Sequence, residues 1–334
     1  MAPKNLISQN SSGKMQLMRA AYREQYCSPK EIRIKSIDIP VINSDEVLIR
    51  VRSTTVNRTD CANLMAKPFI MRFVLGLFKP KLTVLGTDFA GEVVAVGSNV
   101  VSFAVGDRVF GFHDTGIQSQ AEYLKSKEIH VHTIPEGINF QQAVASLEGA
   151  HYAYTFLQKV KLYPNQTVLI HGATGGIGSA LIQFLKKCDL KISATCSARN
   201  IELIKSFGAE RVFDYTLEDF TTSGSKYDFI FDTVGKSTFG KCRPVLKDTG
   251  VYISSELGPY SQNVFFSMFS SLMKKKVKFP VPYSKKFTIP FIVKSLEDGS
   301  FRPLIDKEYS LEQISRAYEF VASGQKIGNV TIKM

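Results

Sequence analysis

Thr167-Val168-Leu169-Ile170-His171-Gly172-Ala173-Thr174-Gly175-Gly176-Ile177-Gly178-Ser179-Ala180 is the stretch whose reading decides the fold. A short apolar run of β type leads into a glycine-rich turn, after which Ile177, Leu181, Ile182 and Leu185 recur at helical spacing. A strand feeding straight into a helix is the first half of a βαβ unit. The glycines take separate jobs: Gly172 and Gly175 turn the backbone sharply and let it approach a pyrophosphate, while Gly178 lets helix and strand pack closely. The helix start, Thr174 through Gly175, Gly176 and Ile177, offers unpaired N–H groups and the positive end of a helix dipole. The spacing is G-x-x-G-x-x-G rather than G-x-G-x-x-G, so the turn by itself does not separate a ligand site from a tight strand-to-helix connection.

The residues that follow supply the context. Lys191-Ile192-Ser193-Ala194-Thr195-Cys196 reads as a second strand and residues 200–207 as a helix stopped by Gly208. Residues 211–215, 227–232 and 250–254 continue as strand-like runs interleaved with helical stretches. Strands alternating with helices of this length predict an α/β, doubly wound parallel sheet, in which the glycine turn becomes a dinucleotide-binding turn.

The 334 residues suit two domains and a substantial core, and 44% hydrophobic with 22% charged residues is ordinary for a globular chain. Cys27, Cys61, Cys188, Cys196 and Cys242 lie far apart without a C-x-x-C pair, and no signal peptide opens the sequence, so reduced thiols and a cytoplasmic location are expected. No stretch is long and apolar enough to span a bilayer. The net charge of +12 attracts polyanions in general, but the aromatic-interleaved basic motif of RNA modules is absent, so no specific nucleic-acid partner is expected. Val264-Phe265-Phe266-Ser267-Met268-Phe269 and the lysines from Lys274 to Lys278 read either as an interfacial amphipathic helix or as an apolar cover over a pocket or subunit interface.

Residues 1–14 are polar and aperiodic, the composition of a disordered leader. Beyond them the pattern is β-rich: Glu46-Val47-Leu48-Ile49-Arg50-Val51 is followed by a second region over 85–109 that Gly86, Gly91, Gly97 and Gly106 punctuate as bulges and turns, which predicts an antiparallel, barrel-like domain. The ordered series Val56-Asn57-Arg58-Thr59-Asp60, Leu85-Gly86-Thr87-Asp88-Phe89-Ala90-Gly91-Glu92-Val93, Phe103-Ala104-Val105-Gly106-Asp107-Arg108-Val109 and the turn at Gly175 resembles the medium-chain dehydrogenase/reductase superfamily, and within it the zinc-independent quinone oxidoreductase group. The resemblance implies a GroES-like antiparallel β-barrel domain for substrate from residues 15–145 and 288–334, a Rossmann domain from 146–287, and a cleft where nicotinamide meets an acceptor. It also implies a homodimer.

Departures from the zinc enzymes of that superfamily are informative. Their Gly-His-Glu motif corresponds to Gly86-Thr87-Asp88, their ligand cysteine corresponds to Asn57, and a structural zinc lobe would need four closely spaced cysteines. Zinc needs three or four placed Cys, His or carboxylate ligands, so no metal is expected. The cofactor reading rests on Thr195-Cys196-Ser197-Ala198-Arg199-Asn200. An NAD site ends its second strand in Asp or Glu; a hydroxyl and a guanidinium instead suit a 2′-phosphate, which predicts NADPH (NADP+) bound through Ser197 and Arg199. By resemblance, Tyr215 lies against the same phosphate, Val234, Gly235 and Ser254 pass beside the ribose and nicotinamide, and Asn329 reaches back to the cofactor.

Hydride transfer to a quinone or an α,β-unsaturated carbonyl asks little of side chains beyond contact with the nicotinamide and a hydrogen-bond donor for the developing oxyanion. Asn57 is the candidate donor. Asp60 orders that loop or the ribose. In Glu148-Gly149-Ala150-His151-Tyr152-Ala153-Tyr154 either His151 or Tyr152 can deliver the final proton, with Tyr152 at the position where relatives carry Thr; packing at the domain junction is the competing role. Loops at 67–81 and 258–287 are expected to shape the acceptor pocket. Two other functions stay open: an enoyl-thioester reductase on the same fold, and a non-catalytic, NADPH-bound RNA-binding or structural protein. A short-chain dehydrogenase is excluded because no Tyr-x-x-x-Lys pair follows the glycine turn.

Overall fold

The computed structural model describes residues 16–280 and 284–334; the leader read as disordered and positions 281–283 of the second acceptor loop lie outside the described residues. The chain divides into two compact units, one holding the residues up to Leu147 together with Ile305–Met334, the other Glu148–Leu304. In chain order the first unit contributes β1 (Leu17–Tyr22), β2 (Arg33–Asp38), β3 (Glu46–Val56), α1 (Arg58–Met65), α2 (Met71–Leu75), β4 (Asp88–Val96), β5 (Arg108–Phe112), β6 (Tyr123–Lys127), β7 (His132–Thr133) and α3 (Phe140–Ala145). The second contributes α4 (Glu148–Leu157), β8 (Thr167–His171), α5 (Gly176–Leu185), β9 (Lys191–Cys196), α6 (Ile201–Phe207), β10 (Arg211–Asp214), β11 (Tyr227–Asp232), α7 (Phe239–Cys242), β12 (Leu246–Ser254), α8 (Gln262–Met268), β13 (Lys276–Lys278) and α9 (Lys285–Glu297). The first unit is completed by β14 (Ile305–Ser310), α10 (Ile314–Ala322) and β15 (Asn329–Lys333).

The second unit is the doubly wound sheet that the glycine turn implies. Its strands run parallel in the order β10-β9-β8-β11-β12-β13, which in order of appearance is third, second, first, fourth, fifth, sixth. Val168, Leu169 and Ile170 of β8 are fully buried, as expected of a central strand covered on both faces. One core cluster gathers Leu169, Phe213, Ile230, Tyr252 and Val277, with each such side chain contributing about 1.5–3 kcal/mol by leaving water.

The first unit is built on a sheet ordered β14-β15-β3-β4-β5-β7, with β6 pairing the first half of β3 and β15 the second half. The pairs are antiparallel except β14 with β15, which α10 connects as a crossover. In α10, Ile314, Ala317, Tyr318 and Val321 recur at helical spacing and are buried against Val56, Leu64 and Leu85.

The return to the first unit comes at Ile305, whereas the expected boundary at 288 falls inside α9. Two contacts explain the difference. The Phe291 ring of α9 packs against Tyr154 at 4.7 Å and Phe184 at 4.8 Å. The Gln183 side chain then grips Arg302 from both sides, donating to its carbonyl at 3.1 Å and accepting from its N–H at 2.9 Å. Among the described residues, no helix is long and apolar enough to cross a membrane.

Candidate active site

In a sheet of this order β8 is flanked by β9 and β11, and the connections leaving its two sides diverge, so the crevice for a ligand opens at the carboxyl ends of β8 and β11. Gly172, directly after β8, has φ +85°, a conformation that disfavours side chains. A Cβ there would sit 2.3 Å from the Val234 side chain, so the loops after β8 and β11 touch at this point. A Cβ on Gly178 would lie 2.4 Å from the Gly172 carbonyl and 2.9 Å from Ala173 Cα, which gives the close helix packing expected of that glycine. Asp232, fully buried, holds the second loop: Oδ1 accepts from the N–H of Val234 at 3.2 Å and Gly235 at 2.8 Å, and Oδ2 accepts from Ser237 N–H at 3.1 Å and the Tyr252 hydroxyl at 2.9 Å. Ser254 is buried directly across the β11–β12 pair from Asp232.

These residues fit a pyrophosphate. Gly175 is the N-cap of ten-residue α5 and supplies no capping side chain, which leaves the first N–H groups of the helix to a ligand. A Cβ on Gly175 would meet only the Gly172 carbonyl, at 3.4 Å, so the backbone is uncrowded at Gly175, between Thr174 and the first helical residues Gly176 and Ile177. At the end of β9, Ser197 accepts from Asn200 Nδ2 at 3.0 Å and Arg199 is exposed. Tyr215, also exposed, is tied back to β9 by its N–H on the Cys196 carbonyl at 3.1 Å. The nearby carboxylate, Asp214, is buried and accepts from Thr216 N–H at 3.0 Å and the Thr216 hydroxyl at 2.8 Å. The structure thus gathers Ser197, Arg199 and Tyr215 at one corner of the sheet and Val234, Gly235 and Ser254 at its middle.

Tyr152 belongs to the same unit. It lies on α4 three residues after Gly149, where a Cβ would come within 2.8 Å of Gly176, so α4 packs directly on the start of α5. The Tyr152 ring is half-buried and stands edge-on to His151 at 5.5 Å. Gly149 went unnoticed in the sequence; its one signal was a glycine inside an otherwise helical run.

Asn57, Asp60 and Asn329 occur together at one end of the first unit's sheet. β15 runs antiparallel to β3 with Val330 opposite Val56, which brings Asn329 level with Asn57 at the strand ends. Asn57 is the N-cap of α1 in a capping box, its N–H donating to Asp60 Oδ2 at 2.8 Å, and all three residues are buried. The Asn57 amide donates to Thr55 Oγ1 at 2.6 Å and to Asp88 Oδ2 at 3.2 Å.

Asp88, noticed in the sequence only as a departure from a metal motif, is the hub of this end. It is fully buried at the start of β4, accepting at Oδ1 from Thr55 N–H at 2.8 Å and at Oδ2 from the Thr55 hydroxyl at 2.6 Å. Burial outweighs these hydrogen bonds and pushes its carboxyl up to about 6. In the second unit, burial and the neighbouring carboxylate of Asp232 push the Cys242 thiol up to about 12. Among the described residues, no group of three or more His, Cys, Asp or Glu side chains is arranged to hold a metal ion.

Comparison with known proteins agrees with both units. Residues 43–167 match the family described as alcohol dehydrogenase GroES-like domain, and residues 207–332 match the family described as zinc-binding dehydrogenase. Over 333 residues the chain is 31% identical to 2-methylene-furan-3-one reductase of Solanum lycopersicum, covering 94% of this chain and 79% of the relative. It is 26% identical over 329 residues to the chloroplastic NADPH-dependent alkenal/one oxidoreductase of Arabidopsis thaliana, with 94% and 79% covered. The quinone oxidoreductase from Coxiella burnetii superposes with a TM-score of 0.86 at 24% identity, covering 96% of this chain and 100% of that one, which establishes the shared fold. With a third-second-first-fourth-fifth-sixth parallel sheet carrying the glycine turn and an antiparallel sheet built from both chain ends, the protein belongs to the medium-chain dehydrogenase/reductase superfamily of nicotinamide-dependent oxidoreductases, in its quinone oxidoreductase-like group.

Proposed function

We propose that the protein transfers a hydride from NADPH to a quinone or an α,β-unsaturated carbonyl without a catalytic metal. The observation that carries the cofactor choice is the corner after β9, where Ser197 and exposed Arg199 stand beside exposed Tyr215 and the nearby carboxylate is spent on Thr216. A guanidinium and a hydroxyl bind a 2′-phosphate by charge-assisted hydrogen bonds, and an available carboxylate would repel it. The start of α5 takes the pyrophosphate, and Val234, Gly235 and Ser254 flank the ribose and nicotinamide. NADPH, when bound, supplies the hydride.

The remaining roles fall to this chain's own groups. Both hydrogens of the Asn57 amide are taken, by Thr55 Oγ1 and Asp88 Oδ2, so the expected donation to the acceptor oxygen is not open to it as placed; Asn57, Asp60 and Asp88 instead hold the loop at the end of β3, with Asn329 level with them. An amide at the ligand-cysteine position and a hydroxyl, Thr87, at the ligand-histidine position are poor zinc ligands, which supports the metal-free reading. Tyr152 delivers the closing proton. The working form is a homodimer in the cytoplasm.

The discriminating experiment compares kcat/KM for NADPH and NADH in the natural protein and in Arg199→Ala, with a small quinone and an alkenal as acceptors. One charge-assisted hydrogen bond is worth about 1.5–3 kcal/mol, so the variant loses about 10- to 150-fold with NADPH and little with NADH. An unchanged preference refutes the assignment.

A further inference from the structure

The segment from Lys67 to Lys81 is folded yet turns its apolar side chains outward. Its backbone is closed by turns: Met71 N–H on the Pro68 carbonyl at 2.9 Å, Gly76 N–H on Arg72 at 2.9 Å and Lys81 N–H on Leu75 at 2.8 Å. Buried Leu75 anchors it, the Lys81 ammonium donates to the Val74 carbonyl at 2.8 Å, and the Tyr26 hydroxyl donates to the Gly76 carbonyl at 2.5 Å. Outside that frame Phe69, Ile70, Phe73, Val74, Leu77 and Phe78 are all exposed, Phe73 at 67% and Phe78 at 88%. The Phe69 and Phe73 rings meet edge to face at 6.3 Å, and the Arg72 guanidinium lies 5.5 Å from the Phe69 ring. Such a cluster marks a surface that is covered in use.

Charge identifies the cover. Lys67, Arg72, Lys79 and Lys81 are interleaved with the apolar residues, and the sequence from Cys61 to Thr87 contains no Asp or Glu. A second copy of the same face would set cations against cations. A quinone or enone is small enough to cover two or three of these side chains and carries no charge to answer the four cations. An anionic phospholipid surface answers both features, taking the aromatic and aliphatic groups into the acyl boundary while the basic groups stay among the phosphates. We infer that residues 69–78, with Arg72 among them and Lys67, Lys79 and Lys81 beside them, dock the protein on anionic membrane surfaces.

The test is co-sedimentation of the full chain with phosphatidylcholine vesicles, alone or with about a third phosphatidylserine, at about 0.1 M salt. The expected result is binding to the anionic vesicles that is stronger by about tenfold or more than to the neutral ones and weakens severalfold at about 0.5 M salt. Phe73→Ser with Phe78→Ser, and separately Lys67→Glu with Lys79→Glu, each weaken it about tenfold while the thermal midpoint is retained, since these side chains are exposed. Absence of binding to anionic vesicles overturns the inference. So does binding by both variant pairs as strong as that of the natural chain, or loss of binding only on Phe265→Ser with Leu272→Ser, which would move the contact to the aromatic–basic stretch of the other unit. Because vesicle binding is read without turnover, it stands or fails apart from the proposed reaction.

Discussion

Replacing Asp88 by Asn tests the hub of the first unit's site through pH. The carboxyl is fully buried and titrates at about 6 in the folded protein against an ordinary value of about 4. Because the folded value is raised, folding takes up a proton in that window. The stabilising term is therefore fully present below about pH 4 and lost as pH rises through about 6, and its size is about 3 kcal/mol for a shift of about two units. The amide of Asp88→Asn does not titrate, so the stability of the natural protein minus that of the variant falls by about 3 kcal/mol between pH 4 and pH 7. Urea unfolding followed by far-ultraviolet circular dichroism suits a chain without tryptophan, and the expected change in midpoint difference is about 1 M. The Thr55 N–H cannot turn, so the variant's oxygen stays at the Oδ1 position and its NH2 faces the Asn57 amide, donor against donor. The loop that Asn57 caps is therefore disturbed, and turnover is expected to fall while the dissociation constant for NADPH, which the proposed function assigns to the second unit, changes less than about twofold. A midpoint difference that stays constant with pH refutes the reasoning.

Two further outcomes follow from the second unit. Gly178→Ala places a methyl 2.4 Å from the Gly172 carbonyl and 3.0 Å from Thr233 Oγ1, so backbone must shift at a cost of about 1–3 kcal/mol; thermal melts should show the loss and fluorescence titration a weaker NADPH affinity. Tyr152→Phe should lower kcat about a hundredfold with cofactor binding retained if Tyr152 is the proton donor, and an unaltered pH–rate profile would assign that proton to solvent instead.

How much of this was legible before folding depends on the range of the interaction. The strand-to-helix turn and the parallel sheet are written in local period, and the structure has them as read, with Gly172 at φ +85° and Gly178 in close helix–strand packing; Gly175, expected to share the sharp turn, has an ordinary extended φ of −71°. The boundary at Ile305 was not legible, because it depends on the rings of Phe291, Tyr154 and Phe184 meeting across more than a hundred residues. Asp88 looked like a lost metal ligand in the sequence. Only the pairing of β3 with β4 brings Thr55, thirty-three positions away, to its carboxylate. Gly149 acquired its meaning when α4 met the start of α5, and the outward face of residues 69–78 when Leu75 and Tyr26 pinned the segment down. The sequence by itself determined the elements and the chemistry available at their ends. Tertiary structure decided which buried groups share a hydrogen bond and which apolar ones are left facing water, since burial and strand register are properties of partners distant along the chain.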